Sequence, residues 1–405
     1  MAVSAVIGAA YGDEGKGHVT AALAGPGSIV CRMNGSSQAG HTVVSPSGDR
    51  AVFSHAGSGT MAGARTYLGP RFVCNPAMFQ EEWAYLYSYH PEILVHPDCP
   101  VTTPWDVIIN RLAEQARGDK RHGSVGAGFG ETLERHGRGY PLAVKDLPVD
   151  KGNCWLKSHL INIIRQWVPL RCSELNIDLA TADKDLTVLL TNPDMLEIFL
   201  GHCVGFRRKT YVKDVDWLCC RIRKGTDVIF EGAQGLMLDQ TEGFFPHVTR
   251  SNTGLKNICE VLPDCTPLQV YYVTRAYTTR HGAGPFPHEL PEGLPFPIVD
   301  ETNVPGKYQG TLRFSFLNLD TLLKAIGTDI RKHGQTQFTY NLVITCLDQL
   351  PGMNLWHDLP LTVILNDKQE DMTVDKAMSF LKKELKLNEV LFTASPSDRL
   401  HSLIS

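Results

Sequence analysis

Six short apolar runs constrain the fold of this chain more than any other feature: Val3 to Gly8, Ser28 to Arg32, Asp227 to Glu231, Gln269 to Thr274, Asn341 to Cys346 and Glu389 to Ala394. Their apolar residues are consecutive, the pattern of strands covered on both faces. Amphipathic stretches fall between them, at Pro104 to Ala116, Trp155 to Val168, Asp320 to Lys332 and Val374 to Leu385. In the last, Met378, Leu381 and Leu385 recur at helical spacing while Lys382, Lys383 and Glu384 face water. Strands alternating with helices imply an α/β fold, a large and mostly parallel central sheet flanked by helices. Residues 280–308 are rich in Pro and Gly and read as a long ordered loop of the kind that usually carries function. No repeat or low-complexity tract breaks the 405 residues, and 1–405 is expected to form one large domain.

Composition removes several classes. Hydrophobic residues make up 43% of the chain and charged residues 20%, which excludes disorder. Lys and Arg total 39 against 43 Asp and Glu, a net charge of −4. That balance predicts neither a nucleic-acid partner nor a membrane surface. The longest apolar runs, such as Leu342 to Cys346, are far too short to span a bilayer. With no basic n-region ahead of its first apolar run, the chain is expected to lack a signal peptide. Eleven cysteines without CxxC spacing argue against a disulfide framework or a zinc ribbon, and adjacent Cys219 and Cys220 read as core residues. A soluble cytoplasmic protein is expected.

The first run leads into Ala9-Ala10-Tyr11-Gly12-Asp13-Glu14-Gly15-Lys16-Gly17 and then a helical stretch. Glycines let backbone N–H groups turn toward an anion, and a helix N-terminus adds positive partial charge, so these are the parts of a phosphate cradle. A standard P-loop needs Gly at Ala10 and Ser or Thr at Gly17. This is therefore a shifted, P-loop-NTPase-like variant with carboxylates inside the loop. An Asp beside bound phosphates either coordinates Mg²⁺ or acts as a base. A plain strand-to-helix turn is the competing reading, and Gly-Asp-Glu-Gly-Lys-Gly is too specific for it.

After Arg32 comes Asn34-Gly35-Ser36-Ser37-Gln38-Ala39-Gly40-His41-Thr42. A lone histidine is more often structural than catalytic, but His41 sits in a loop after a strand, where ligands of open α/β sheets bind. Together the two loops resemble those of the adenylosuccinate synthetase family, which carries Gly-Asp-Glu-Gly-Lys-Gly and Asn-Ala-Gly-His-Thr at this spacing. The resemblance continues along most of the chain. Phe230 to Gly235 and Pro246 to Thr253 look like the family's base-recognition segment, and Ala276 to Arg280 with Gly284 to Pro287 matches a further signature. Ser395-Pro396-Ser397-Asp398-Arg399 resembles its Gly-Pro-Asp-Arg segment.

The resemblance implies a fold with long active-site loops and a two-step ligation at C6 of a 6-oxopurine mononucleotide. Asp13 would take the N1 proton while His41 stabilises charge on O6, which attacks the γ-phosphate of ATP or GTP. The amino group of L-aspartate would then displace the 6-phosphoryl group. Mg²⁺ would be held by Asp13 and the carbonyl of Gly40, with Lys16 on the phosphates and Gln234 on the purine edge. Gly12, Glu14, Gly15, Gly17, Gln38 and Thr42 would complete the phosphate side, and Asp348, Ser395 and Ser397 the base side of the triphosphate. Thr249 with Ser124, Val125 and Gly126 would form the monophosphate pocket, and Gly310, Thr311 and Arg313 the aspartate loop. The family is homodimeric and donates an arginine across the interface near here. Arg135 and Arg138 are both candidates, with Arg138 the one taken into the nucleotide-binding set.

Four departures bear on the substrate. Gln38 stands where the family has Asn, and Val125 replaces a Thr. The aspartate loop, Thr-Gly-Arg-x-Arg-Arg in the family, reads Gln309-Gly310-Thr311-Leu312-Arg313-Phe314, so the arginine that also reaches the ribose 2′-hydroxyl has become Thr311. The guanine-reading Thr-Lys-x-Asp appears as Thr345-Cys346-Leu347-Asp348. These changes resemble the phage-type branch, which acts on dGMP with ATP in the host cytoplasm, and dGMP with ATP is the reading taken. The ordinary pair, IMP with GTP, is the alternative, since some phage-type members lose the acid that this chain keeps as Asp13. A P-loop-like NTPase or a silent nucleotide-binding paralogue are the remote alternatives.

Overall fold

The apolar runs pair edge to edge. In the computed structural model, which describes every residue except 1, 46, 151–153, 301, 304, 353–357, 394–399 and 403–405, the central sheet has ten strands. Their order is His401–Ser402, Glu389–Phe392, Phe338–Thr345, Leu268–Arg275, Val3–Gly8, Val228–Gly235, Ile29–Arg32, Arg65–Leu68, Ile93–Val95 and Tyr211–Val212. All neighbours are parallel except the edge pair formed by His401–Ser402. Every residue of Val3–Gly8 is buried, as a strand covered on both faces requires. The expected α/β architecture with a large parallel sheet is thus the observed one.

Helices begin where their N-caps say. Thr103 and Asp106 form a reciprocal capping box at Pro104–Arg117, and Asn318 and Thr373 cap Leu319–His333 and Val374–Leu385. The single helix expected over Trp155 to Val168 is instead Cys154–Asn162, a π turn Ile163–Trp167, and Val168–Glu174. Pro169 has no N–H to donate to the preceding turn, so the hydrogen-bond ladder shifts there. Helix Val215–Arg223 also corrects the pairing of Cys219 and Cys220. Consecutive helical residues point about 100° apart, leaving Cys219 half-buried and Cys220 exposed.

Elements without a long apolar run were not anticipated. A second sheet joins Tyr277–His281, Leu312–Asn318, Pro360–Leu365 and Lys368–Thr373, and a hairpin joins His41–Val44 to Arg50–Phe53. Between His281 and Leu312 no strand or helix occurs among the described residues, as expected of a long loop. The strands that matter for the site, Val3–Gly8, Ile29–Arg32, Val228–Gly235, Leu268–Arg275 and Phe338–Thr345, all end on the same sheet edge. Ligands of open parallel sheets bind beyond such carboxyl ends.

Of the two arginines after the glycine loop, Arg135 is fully buried. It binds Asp106 through Nε at 2.9 Å and Nη2 at 3.0 Å, and donates to the carbonyls of Val101 and Tyr140. It is therefore held inside its own subunit. Arg138 is half-exposed and pairs with Glu134 and Glu174, which leaves it as the arginine at the surface. Removing one partner of a buried pair strands the other charge. Arg135→Met should lower unfolding stability by about 3 kcal/mol or more in a urea titration, and Arg138→Met by less than about 1 kcal/mol.

Candidate functional site

A cavity of about 1000 Å³ opens beyond those strand ends. The N-terminal loop forms its floor. Gly12, Asp13 and Gly15 all have left-handed backbone, with φ of 94°, 62° and 89°, which glycine adopts freely and aspartate at a cost. Glu14 fixes this shape from behind: one oxygen accepts from the N–H of Ala10 at 3.1 Å and of Gly12 at 2.8 Å, the other from Lys16 Nζ at 2.6 Å. A Cβ on Gly17 would lie 2.9 Å from the carbonyl of Thr42 and 3.0 Å from His41 Cβ. Glycine there lets the second loop pack on the helix start.

The second loop is held by buried charge. His41 Nδ1 lies 2.7 Å from Glu231 Oε1, Ser58 donates to Glu231 through its hydroxyl and its N–H, and buried Arg32 donates to the carbonyls of Ser54 at 2.8 Å and Ala39 at 3.2 Å. Burial pushes the Glu231 carboxyl upward, and His41, Arg32 and Ser58 overcome it, holding the group at about 2. Burial also pulls His41 below its ordinary value, against the pull of Glu231. Asn34 clamps the next turn, accepting from the N–H of Ala233 at 2.9 Å and donating to the carbonyls of Ala233 and Asn252, both at 3.1 Å. That clamp supports Gln234, whose φ of 65° is left-handed.

Many residues singled out in the sequence meet on the wall of this cavity: Gly12, Asp13, Gly15, Lys16 and Gly17 from the first loop, and Gln38, Gly40, His41 and Thr42 from the second. Val125, Gln234 and Asp348 join them. Burial raises the carboxyl groups of Asp13 and Asp348. At Asp13, Arg275, Lys16 and His281 oppose that rise and Glu14 adds to it.

Others lie off the wall. Glu14 faces the loop interior, and Ser124 bonds Asn110 at 3.0 Å. The carbonyl of Gly126 accepts from Arg111. Arg313 is engaged by Glu289 and by the carbonyls of Gly282 and Gly284, while the Gly310 carbonyl lies 3.2 Å from His281 Nε2. Thr311 is exposed. The buried Thr249 hydroxyl has no hydrogen-bond partner, an opening for a ligand acceptor. Ser395 and Ser397 lie outside the described residues.

Sequence reasoning assigned no role to Arg32, Ser58, Glu231 or Arg275. A charged residue closing an apolar run, as Arg32 and Arg275 do, was the available signal. The segment behind Gln234 also depends on Asp329, which accepts from the N–H of Leu255 at 3.1 Å and from the Tyr272 hydroxyl at 2.9 Å.

Burial raises the Asp329 carboxyl to about 6 from an ordinary 3.8. Between those values the folded state keeps a proton that the unfolded state releases, so the contribution of Asp329 to stability falls as pH rises and levels off above about 6. Asp329→Asn removes this ionisation. Relative to wild type, the variant should gain up to ~3 kcal/mol between pH 4 and 7, read from urea midpoints at both pH values. Parallel pH dependence of the two proteins would contradict this origin.

The family profile described as Adenylosuccinate synthetase matches residues 5–339. The chain is 31% identical over 363 residues to adenylosuccinate synthetase of Myxococcus xanthus, covering 86% of this chain and 78% of that protein. It is 30% identical over 387 residues to adenylosuccinate synthetase 1 of Pseudoalteromonas translucida, covering 91% and 81%. Among solved structures, fully ligated adenylosuccinate synthetase of Plasmodium falciparum superposes with a TM-score of 0.76 at 19% identity over the whole of both chains. Succinoaminodeoxyadenylate synthetase of cyanophage S-2L, bound to dGMP and to dATP as energy donor, superposes with 0.55 at 16% identity, covering all of this chain and 96% of that one. At these identities both structures speak to the fold.

Proposed function

This chain belongs to the adenylosuccinate synthetase family, carbon–nitrogen ligases of purine nucleotide biosynthesis, and from that premise we propose that it joins L-aspartate to C6 of dGMP at the expense of ATP. The observation that carries the chemistry is the convergence of Asp13, Lys16, His41 and Gln234 on one cavity wall.

Asp13 accepts the proton from N1 of the purine, and the electron pair released moves onto O6, which attacks the γ-phosphorus as the nucleoside diphosphate departs. A carboxylate base raises the nucleophilicity of an otherwise poor amide oxygen. With Nδ1–H directed at Glu231, His41 Nε2 donates to the charged oxygen once the ring takes up a proton, which burial opposes and the Glu231 carboxylate together with the negative charge developing on O6 favours. Gln234 supplies both a donor and an acceptor to the purine edge. The aspartate amine then attacks C6, phosphate leaves with the former O6, and the amine loses a proton. Lys16 meets the transferring phosphoryl group, sharing its charge with Glu14.

The site suits Mg²⁺. Among the described residues no group of three or more His, Cys, Asp or Glu forms a ready cage, and Mg²⁺ commonly takes one or two carboxylates with the rest of its shell from phosphate and water. Asp13 and the carbonyl of Gly40 would hold it. When bound, it offsets phosphate charge.

Thr249, with its unpartnered hydroxyl, Val125 and the loop bearing Ser124 and Gly126 receive the monophosphate. Gly310, Thr311 and Arg313 receive aspartate, which requires Arg313 to exchange Glu289 for the substrate carboxylate. Asp348 faces the base side of the triphosphate, a role that the family resemblance also gives to Ser395 and Ser397. Thr311 in place of a ribose-reading arginine favours a deoxynucleotide, and Cys346 in place of lysine relaxes the requirement for GTP and admits ATP. The second reading, IMP with GTP, rests on retained Asp13 and on Asp348 at the wall. We also read 1–405 as one functional unit of a cytoplasmic homodimer, with Arg138 as the residue offered across the interface.

The test is product formation from aspartate with dGMP, GMP, IMP and dIMP, each offered with ATP and with GTP. Turnover of dGMP with ATP and little of IMP is expected, and chelation of Mg²⁺ should abolish it. Preference for IMP with GTP would establish the second reading, and no product from any pairing would refute the ligase assignment to this chain.

A further inference from the structure

Arg275 stands where the N-terminal loop, the long loop and the segment after Phe338–Thr345 meet. Its guanidinium is almost fully buried. Nε donates to the backbone carbonyl of Asp13, Nη1 to the Tyr277 hydroxyl at 3.2 Å, and Nη2 to Asp300 at 3.0 Å. Asp300 accepts in turn from the N–H groups of Thr302 and Asn303, both at 3.0 Å, and from the Asn303 side chain at 2.8 Å. A relay reaches the same stretch from the other side: Tyr277 donates to Gln349 at 2.7 Å, and Gln349 donates to the carbonyl of Val299 at 3.1 Å.

One cation therefore grips Asp13 by its backbone, Asp300 directly, Thr302 and Asn303 through Asp300, and Val299 through the relay. Asp300 and Val299 line the cavity with Asp13. The planar guanidinium fixes the directions of its partners, which a flexible ammonium does not. Asp13 also needs an external hold, because its left-handed φ of 62° is a conformation that a non-glycine residue adopts at a cost.

We propose that Arg275 is a positioning residue that sets Asp13 together with Val299, Asp300, Thr302 and Asn303 as one unit, so that these residues of the cavity wall are in place whenever Asp13 is. Its kinetic consequence rests on the ligase reaction proposed above.

Full-length wild type, Arg275→Met, Arg275→Lys and Asp300→Asn are compared by steady-state kinetics and by amide hydrogen exchange of peptides covering 9–17 and 296–300. Arg275→Met should lower kcat by about 100-fold, the scale of a small misplacement of a reacting group, with KM for the mononucleotide within about threefold. Arg275→Lys should recover at least about tenfold of that loss. Exchange should rise in both segments together, and Asp300→Asn, which does not touch the N-terminal loop, should raise it in 9–17 as well as in 296–300. A higher KM at unchanged kcat in Arg275→Met would overturn the inference, as would faster exchange confined to one segment. If Arg275→Met does not fold, Asp300→Asn decides by the exchange criterion. If wild type makes no product, the ligase reading fails by itself and exchange still decides the coupling.

Discussion

The carboxylate of Glu231 lies fully buried in the middle of the central strand Val228–Gly235, and an isolated charge in that position would cost several kcal/mol. The groups that neutralise it are those that build the cavity. His41 and Ser58 bond it directly, and Arg32 adds positive charge while its own donors fix the carbonyls of Ala39 and Ser54. The second loop is thereby pinned at Ala39, just before its functional stretch, and the chain beyond the hairpin is pinned at Ser54. Were Glu231 absent, Arg32 would be a buried cation left with the smaller influence of Glu82. The need to pair one charge inside the sheet thus dictates where His41 points.

The N-terminal loop solves a related problem with opposite sign. In a phosphate cradle the backbone N–H groups await an anion, and left empty they are unsatisfied donors. Here Glu14 supplies an internal anion, taking the N–H groups of Ala10 and Gly12 and the Lys16 ammonium. The loop is consequently preorganised before any phosphate arrives. On the proposed mechanism, phosphate would meet a lysine already oriented but half-neutralised, which limits ground-state attraction and leaves binding energy for the transferring group.

How much of this was legible in the sequence follows from the range of the forces. Consecutive apolar residues report burial on both faces, so the central strands were readable. Val228–Gly235 nevertheless continues past the apolar run to carry Gln234, because pairing with Val3–Gly8 persists beyond Glu231. The second sheet was not readable, since strands such as Lys368–Thr373 are mostly polar and exposed and exist only through their partners. The family motifs located the cavity because glycine, Asp and His at fixed spacing reflect local backbone geometry. They made Arg135 a candidate for donation across an interface and did not reveal its buried pairing with Asp106 on another helix, nor the engagement of Arg313 by Glu289. Those are matters of long-range pairing that spacing alone does not encode.

The same distinction governs the triphosphate base. A lysine at Cys346 would lay an aliphatic stem and a charge against the ring. Cys346 cannot, and Arg275 is committed to Asp13, Tyr277 and Asp300. The positive charge near this corner therefore lies deep, beside the N-terminal loop. Among the described residues the wall here carries Cys346, Asp348, Gln349, Leu350 and Pro351. A carboxylate accepts two hydrogen bonds from the N1–H and amino group of guanine but only the amino hydrogens of adenine. Retaining Asp348 keeps guanine acceptable, while losing the lysine removes one part of the guanine-reading motif. On the proposed reading these changes weaken discrimination between donors rather than invert it. ATP enters because the penalty against it has shrunk, and the deoxynucleotide preference proposed for Thr311 is a separate matter decided on the other side of the cavity.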